Sequence, residues 1–161
     1  VPLFQRPPSG ARDIPAPGER PLAWGHDVDG AWVVASDAAL YLPGAAGHDR
    51  LAYDTVASAT WRDPLLEVVV VGTRGSRRVV DLAEPGLLPP TVRERVTATV
   101  VVSERVPLAG GGRALVSARR PPGGSRVRWN VVFDPGVDPA DPLVRADADA
   151  AIAALRQATG L

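Results

Sequence analysis

Five arginines, Arg113, Arg119, Arg120, Arg126 and Arg128, fall in a stretch that contains no acidic residue. Arg74, Arg77 and Arg78 form a second basic group. A guanidinium is a planar fork of donors that matches phosphate and carboxylate oxygens. Arginines sharing one sheet face would therefore bind an oxyanion, an acidic protein segment or RNA. The competing reading is a solvated face balanced by acids that the fold brings near. Trp129 is expected opposite Arg126 and Arg128, which removes the stacking platform a single-stranded nucleic acid needs.

Other chemistry-bearing residues are sparse. His26 lies near Asp27 and Asp29, and His48 precedes Asp49. A metal site needs at least three convergent ligands with hydrogen-bonded support, whereas Asp is an ordinary turn residue, so no metal site is expected. Asp134, Asp138 and Asp141 each precede a proline, and Asp147 and Asp149 follow. They lack the EF-hand order and read as turns and a helix N-terminus, where carboxylates are favoured. No G-x-S-x-G elbow is present. Gly72–Gly75 and Gly110–Gly112 do not lead into clear helices, so neither reads as a phosphate-cradling loop.

Composition excludes more. The 161 residues carry 18 basic and 18 acidic side chains, no Cys and no Met, and every basic residue other than the two His is Arg. Without Lys there is no P-loop lysine and no Schiff-base lysine. Without Cys there is no thiol nucleophile, disulfide or iron–sulfur cluster. Zero net charge argues against nucleic acid as a partner of the whole chain. No apolar run approaches the about 20 residues of a spanning helix, so membrane contact would be peripheral at most. Val1–Pro21 has no apolar h-region of a signal peptide, and the start at Val1 reads as processed or trimmed. The cytoplasm is the expected compartment. Arg without Lys, with abundant Ala and Val, resembles the bias of a GC-rich bacterium.

The elements that must position these residues follow from periodicity. Residues 1–20, rich in proline, read as a flexible tail. Short strands are then expected at Leu22–His26, Trp32–Ala35, Ala39–Leu42, Arg50–Tyr53, Val56–Arg62, Leu65–Val71 and Arg77–Ala83, separated by turn residues such as Asp27–Gly30 and Asp63-Pro64 and by a hairpin loop at Gly72–Ser76. Thr91, with Glu94 three residues on, has the capping-box pattern. Val92, Val96 and Val100 recur at helical spacing, which predicts a helix from Thr91 to about Val101, with a strand from Thr97 as the alternative. Beyond it, strands are expected near Glu104–Leu108, at Arg113–Arg119 and at Arg126–Phe133, where Val127, Trp129, Val131 and Phe133 alternate with Arg126, Arg128 and Asn130. Asp141-Pro142 supplies an N-cap and an N1 proline for a last helix ending at Gly160. Of the four Trp, Trp24 and Trp32 flank the first hairpin, and Trp61 is expected partly exposed near a strand end.

Seven strands and a helix in this order resemble the pleckstrin-homology-like superfold, in its bacterial branch. Gly18-Glu19-Arg20 resembles the family's entry to the first strand. Trp32–Asp37 followed by Ala39–Leu42 resembles its second and third strands, and Arg50–Val56 its "ipyddI" segment. The resemblance covers about residues 18–103. It implies an α+β fold: a PH-like, antiparallel, seven-stranded barrel or sandwich over 21–103 with a closing helix. Residues 104–161 are expected as a ββα extension, hairpins and a helix, packed on it. Relatives that bind phosphoinositides use a basic loop between the first two strands, whereas His26–Gly30 carries acid and no Arg. The expected function is therefore a non-enzymatic bacterial module acting through a protein partner or self-association, with no cofactor. Two alternatives are an anion- or nucleic-acid-binding module built on the arginines of residues 113–128, and a small-ligand carrier or enzyme whose site is assembled from distant residues.

Overall fold

A computed structural model describes residues 6–71 and 76–161. The chain divides into two compact units, Val1–Thr99 and Val100–Leu161. The fold is α+β, with an antiparallel seven-stranded sheet in the first unit and a C-terminal helix in the second.

In the first unit a helical turn, α1 (Ser9–Arg12), precedes β1 (Pro21–Asp27), β2 (Trp32–Ser36), β3 (Ala39–Gly44), β4 (Gly47–Ala52), β5 (Val56–Arg62), β6 (Leu65–Val70) and β7 (Ser76–Glu84), and α2 (Leu88–Ala98) follows. The strand order is β4-β3-β2-β1-β7-β6-β5. Turn chemistry sets the first hairpin, where the Asp27 carboxylate accepts from the backbone N–H groups of Asp29 and Ala31. Sheet curvature gathers one core: Val33 and Leu42 meet Leu66 and Leu82 from the far strands, beneath Val92 and Val96 of α2. Fully burying each of the leucines contributes about 1.5–3 kcal/mol. The sheet does not close into a barrel. Its end strands β4 and β5 each have a single strand partner.

Two local departures have clear causes. Strict alternation along β5 would send Val56 to the face opposite Ala59 and Trp61. A register shift between Val56 and Ser58 turns Val56 into the core instead, on the same side as both. The helix expected from Thr91 starts at Leu88, with Pro89 and Pro90 inside its first turn. Proline is tolerated there because first-turn N–H groups have no intrahelical acceptor, so the pair fits inside the helix ahead of Thr91. The helix ends at Ala98, and the β-branched run from Val100 goes into a strand.

Residues 1–20, read as a flexible tail, include ordered contacts from α1 onward. Ala11 is fully buried, and with Ile14 it packs against Val34, Ala39 and Tyr41. Strands β2 and β3 are apolar on both faces, so their outer face needs a cover, and the small Ala11 fits closely against it.

The second unit is a three-stranded antiparallel sheet, in the order β10-β9-β8, with one helix. Its strands are β8 (Val100–Pro107), β9 (Arg113–Arg119) and β10 (Arg128–Phe133), followed by α3 (Pro142–Thr159). Trp129, Val131 and Phe133 pack with Val116, Val144 and Leu155, as their alternation requires. Asp141 caps α3 by accepting from Leu143 N–H at 2.9 Å, and Gly160 closes it in the left-handed conformation. Arg156 of α3 lies over the Trp129 ring, 5.5 Å from its centroid. Among the described residues, no helix is long and apolar enough to cross a membrane.

Candidate functional site

Arg77 pairs with Glu67 at 2.5 Å, and Arg78 pairs with Asp49 at 2.8 Å and donates to the Pro43 carbonyl. Arg74 lies outside the described residues. Arg113 starts β9, whereas Arg128 sits opposite Arg119 at the other end of the hairpin. Across six residues of strand that separation is about 20 Å. Arg119, expected on a solvated face, is only 5% exposed. Arg120, Arg126 and Arg128 are exposed. Asn130, expected outward with them, is buried opposite Ser117.

The aspartates and histidines serve the fold. Asp134 accepts two bonds from Arg105, Asp138 accepts from Ala140 N–H, and Asp147 accepts from Ala109 N–H. His48 Nε2 lies 2.8 Å from the Trp32 carbonyl, and the His26 ring packs on Trp32 with centroids 3.7 Å apart. Among the described residues no group of three or more His, Asp or Glu could hold a metal ion.

Glu19, singled out only as part of an entry motif, is the hub of a polar cluster. Its Oε2 accepts from the Ser36 hydroxyl at 2.6 Å and the Tyr41 hydroxyl at 3.0 Å. Its Oε1 accepts from Arg50 Nε and Nη2 at 2.8 and 2.6 Å. Burial raises the Glu19 pKa, but the bonds from Ser36, Arg50 and Tyr41 outweigh it and hold the carboxyl below its ordinary value. Burial pushes the Tyr41 and Tyr53 phenols up. Tyr41 in turn accepts from Ala16 N–H, and Tyr53 donates to the Ser36 carbonyl. Every polar end in the cluster is thus engaged by a neighbour, which ties residues 16–19 to β2, β3 and β4 rather than presenting a reactive group.

An open groove of about 580 Å³ lies beside β5 and α2. Ala59, Thr60 and Trp61 form one wall, and Pro89, Pro90 and Arg93 form the other. Trp61 is half-buried, with its inner part packed on the core. Thr60, Pro90 and Arg93 are exposed. Sequence reading singled out Trp61 but missed the groove, because it started the helix at Thr91 and left Pro89 and Pro90 outside it. Recognising the proline pair as a first helical turn would have placed Arg93 one turn further along the same helix.

No family model, curated protein or solved structure matches the chain.

Proposed function

We propose that the first unit is a bacterial pleckstrin-homology-like module without chemistry of its own, and that it works by holding a partner protein in the groove between β5 and α2. The observation that carries this reading is the groove itself: the end strand of the sheet beside a half-exposed tryptophan and the exposed Pro90. Tryptophan supplies large contact area at small entropic cost, and a sheet edge supplies backbone hydrogen bonds, the two resources that binding modules use. Seven antiparallel strands followed by a helix over their shared core support the family reading, as does the role of Glu19 in the Gly18-Glu19-Arg20 motif. The polar groups of the Glu19 cluster are engaged with one another, which favours binding over catalysis.

A photo-cross-linking residue placed at Thr60 tests the reading in the host cell. A discrete adduct at Thr60, missing when the same residue stands at exposed Arg145 on α3, is the expected result. No adduct at Thr60 would remove the groove as the contact surface.

A further inference from the structure

The outer face of the first unit's sheet is not treated alike along its width. Across β2 and β3 it is covered by Ala11 and Ile14. Across β6 and β7 it carries Leu65 and Val79, which are 42% and 50% exposed.

Register fixes what surrounds these two side chains. Leu66 and Val68 enter the core, so Leu65, Glu67 and Val69 point outward. Leu65 is flanked by Arg62 on β5 and by Asp81 on β7. Thr60, Glu67 and Val79 form the next row, and Ser58, Val69 and Arg77 the one after it. Glu67 and Arg77 pair within the chain. Arg62 and Asp81 form no ion pair and no side-chain hydrogen bond among the described residues.

The face thus holds one uncompensated base and one uncompensated acid. Each lies one strand spacing, about 4.8 Å, to either side of the strand that carries Leu65. A half-turn about a line along β6 exchanges the two positions. The face is therefore its own complement, as an interface between identical copies requires. A partner of one charge sign would satisfy only one of the two groups.

We infer that the outer face of β5, β6 and β7 is a self-association surface, on which a second copy of the chain packs face to face about a two-fold axis along β6. Arg62 then meets the partner's Asp81, and Asp81 meets the partner's Arg62. Leu65 packs on the partner's Leu65 at the axis, and Val79 on the partner's Thr60. Glu67 also falls on the axis, where its bond to Arg77 offsets its charge. Sheets packed in this aligned way stand about 10 Å apart, a gap that an arginine and an aspartate together span. The pairing uses side chains of the face and needs no backbone group of the β5 edge. A face three strands wide is smaller than the about 800 Å² that each partner of a stable complex buries. The dimer is accordingly weak, with a dissociation constant on the order of 0.1 mM.

The test is sedimentation velocity of the full chain at about 0.02–1 mM. The wild type should shift from monomer to dimer over that range, and less so in about 0.5 M salt. Arg62→Glu and Asp81→Arg, each with unchanged circular dichroism and melting, set like charges against each other twice in a dimer. Each alone should weaken self-association at least about tenfold. An equal mixture of the two sets unlike charges together at both positions and should restore the dimer. The Arg62→Glu/Asp81→Arg double variant should restore it as well, which also shows that the fold accepts both substitutions. Because Thr60 lies in this face, a Thr60 cross-link adduct with the mass of two chains would report this pairing and not the groove. A wild type that stays monomeric at about 1 mM would overturn the inference. So would single variants that associate as the wild type does, or a mixture that stays monomeric.

Discussion

Arg78 on β7 holds Asp49 on β4 at 2.8 Å, although β3, β2 and β1 lie between those strands in the sheet. Four strand spacings in a flat sheet would put them about 19 Å apart. The ion pair therefore measures how far the sheet curls around its core without its end strands pairing. A double-mutant cycle with Arg78→Ala and Asp49→Ala should give a coupling of about 0.5–1 kcal/mol, as expected for a partly exposed pair. Urea denaturation checks it, and the coupling should fall at high salt. Zero coupling at low salt would mean the curl does not hold the two together in solution.

Gly25 marks where β1 passes closest to the end of β7. A Cβ there would stand 2.3 Å from the Glu84 carbonyl oxygen, a backbone atom that cannot swing aside. Gly25→Ala should cost about 1–3 kcal/mol through forced separation of the strands. A shift of that size in the denaturation midpoint is the check, and a neutral substitution would contradict the close approach.

Arg119 and Arg120 are neighbours with opposite surroundings, one 5% exposed and the other exposed. Removing a buried guanidinium leaves its surroundings uncompensated, so Arg119→Ala should destabilise by about 3 kcal/mol. Arg120→Ala should stay within about 0.5 kcal/mol. Chemical denaturation separates the two, and equal small effects would return Arg119 to the surface role that its sequence neighbourhood suggests.

Most strands were legible because their signals are local. Val56–Arg62 and Arg113–Arg119 are bounded by turn residues, and Asp141-Pro142 starts a helix by cap chemistry that needs no tertiary information. What escaped depends on long-range contacts. Ala11 looks like part of a proline-rich tail until β2 and β3 need a cover for their outer face. Arg119 continues a run of exposed charge until its strand face is buried. The groove needed the first turn of α2 to be placed beside β5, and no periodicity in either segment encodes that placement. Ion pairs such as Arg78 with Asp49, 29 residues apart, are likewise invisible to a survey of local charge.

The Glu19 cluster gives the fold a pH dependence of definite sign. The folded carboxyl titrates below its ordinary value of 4.5. As the pH falls, the unfolded chain takes up this proton first, so acid favours unfolding. The contribution is complete above about pH 4.5 and is lost progressively as the pH drops to the folded value. At neutral pH, Glu19→Gln would leave Arg50 facing an amide and would weaken the acceptor for Ser36 and Tyr41, a loss of about 2–4 kcal/mol for charged, largely buried hydrogen bonds. Unfolding by urea at about pH 7 and again at about pH 3 measures both proteins. The gap between wild type and Glu19→Gln should be wide at the higher pH and should shrink at the lower one, where protonation gives the wild type the same neutral side chain. A gap that stays constant with pH would show that shape, and not the carboxylate charge, ties residues 16–19 to the sheet.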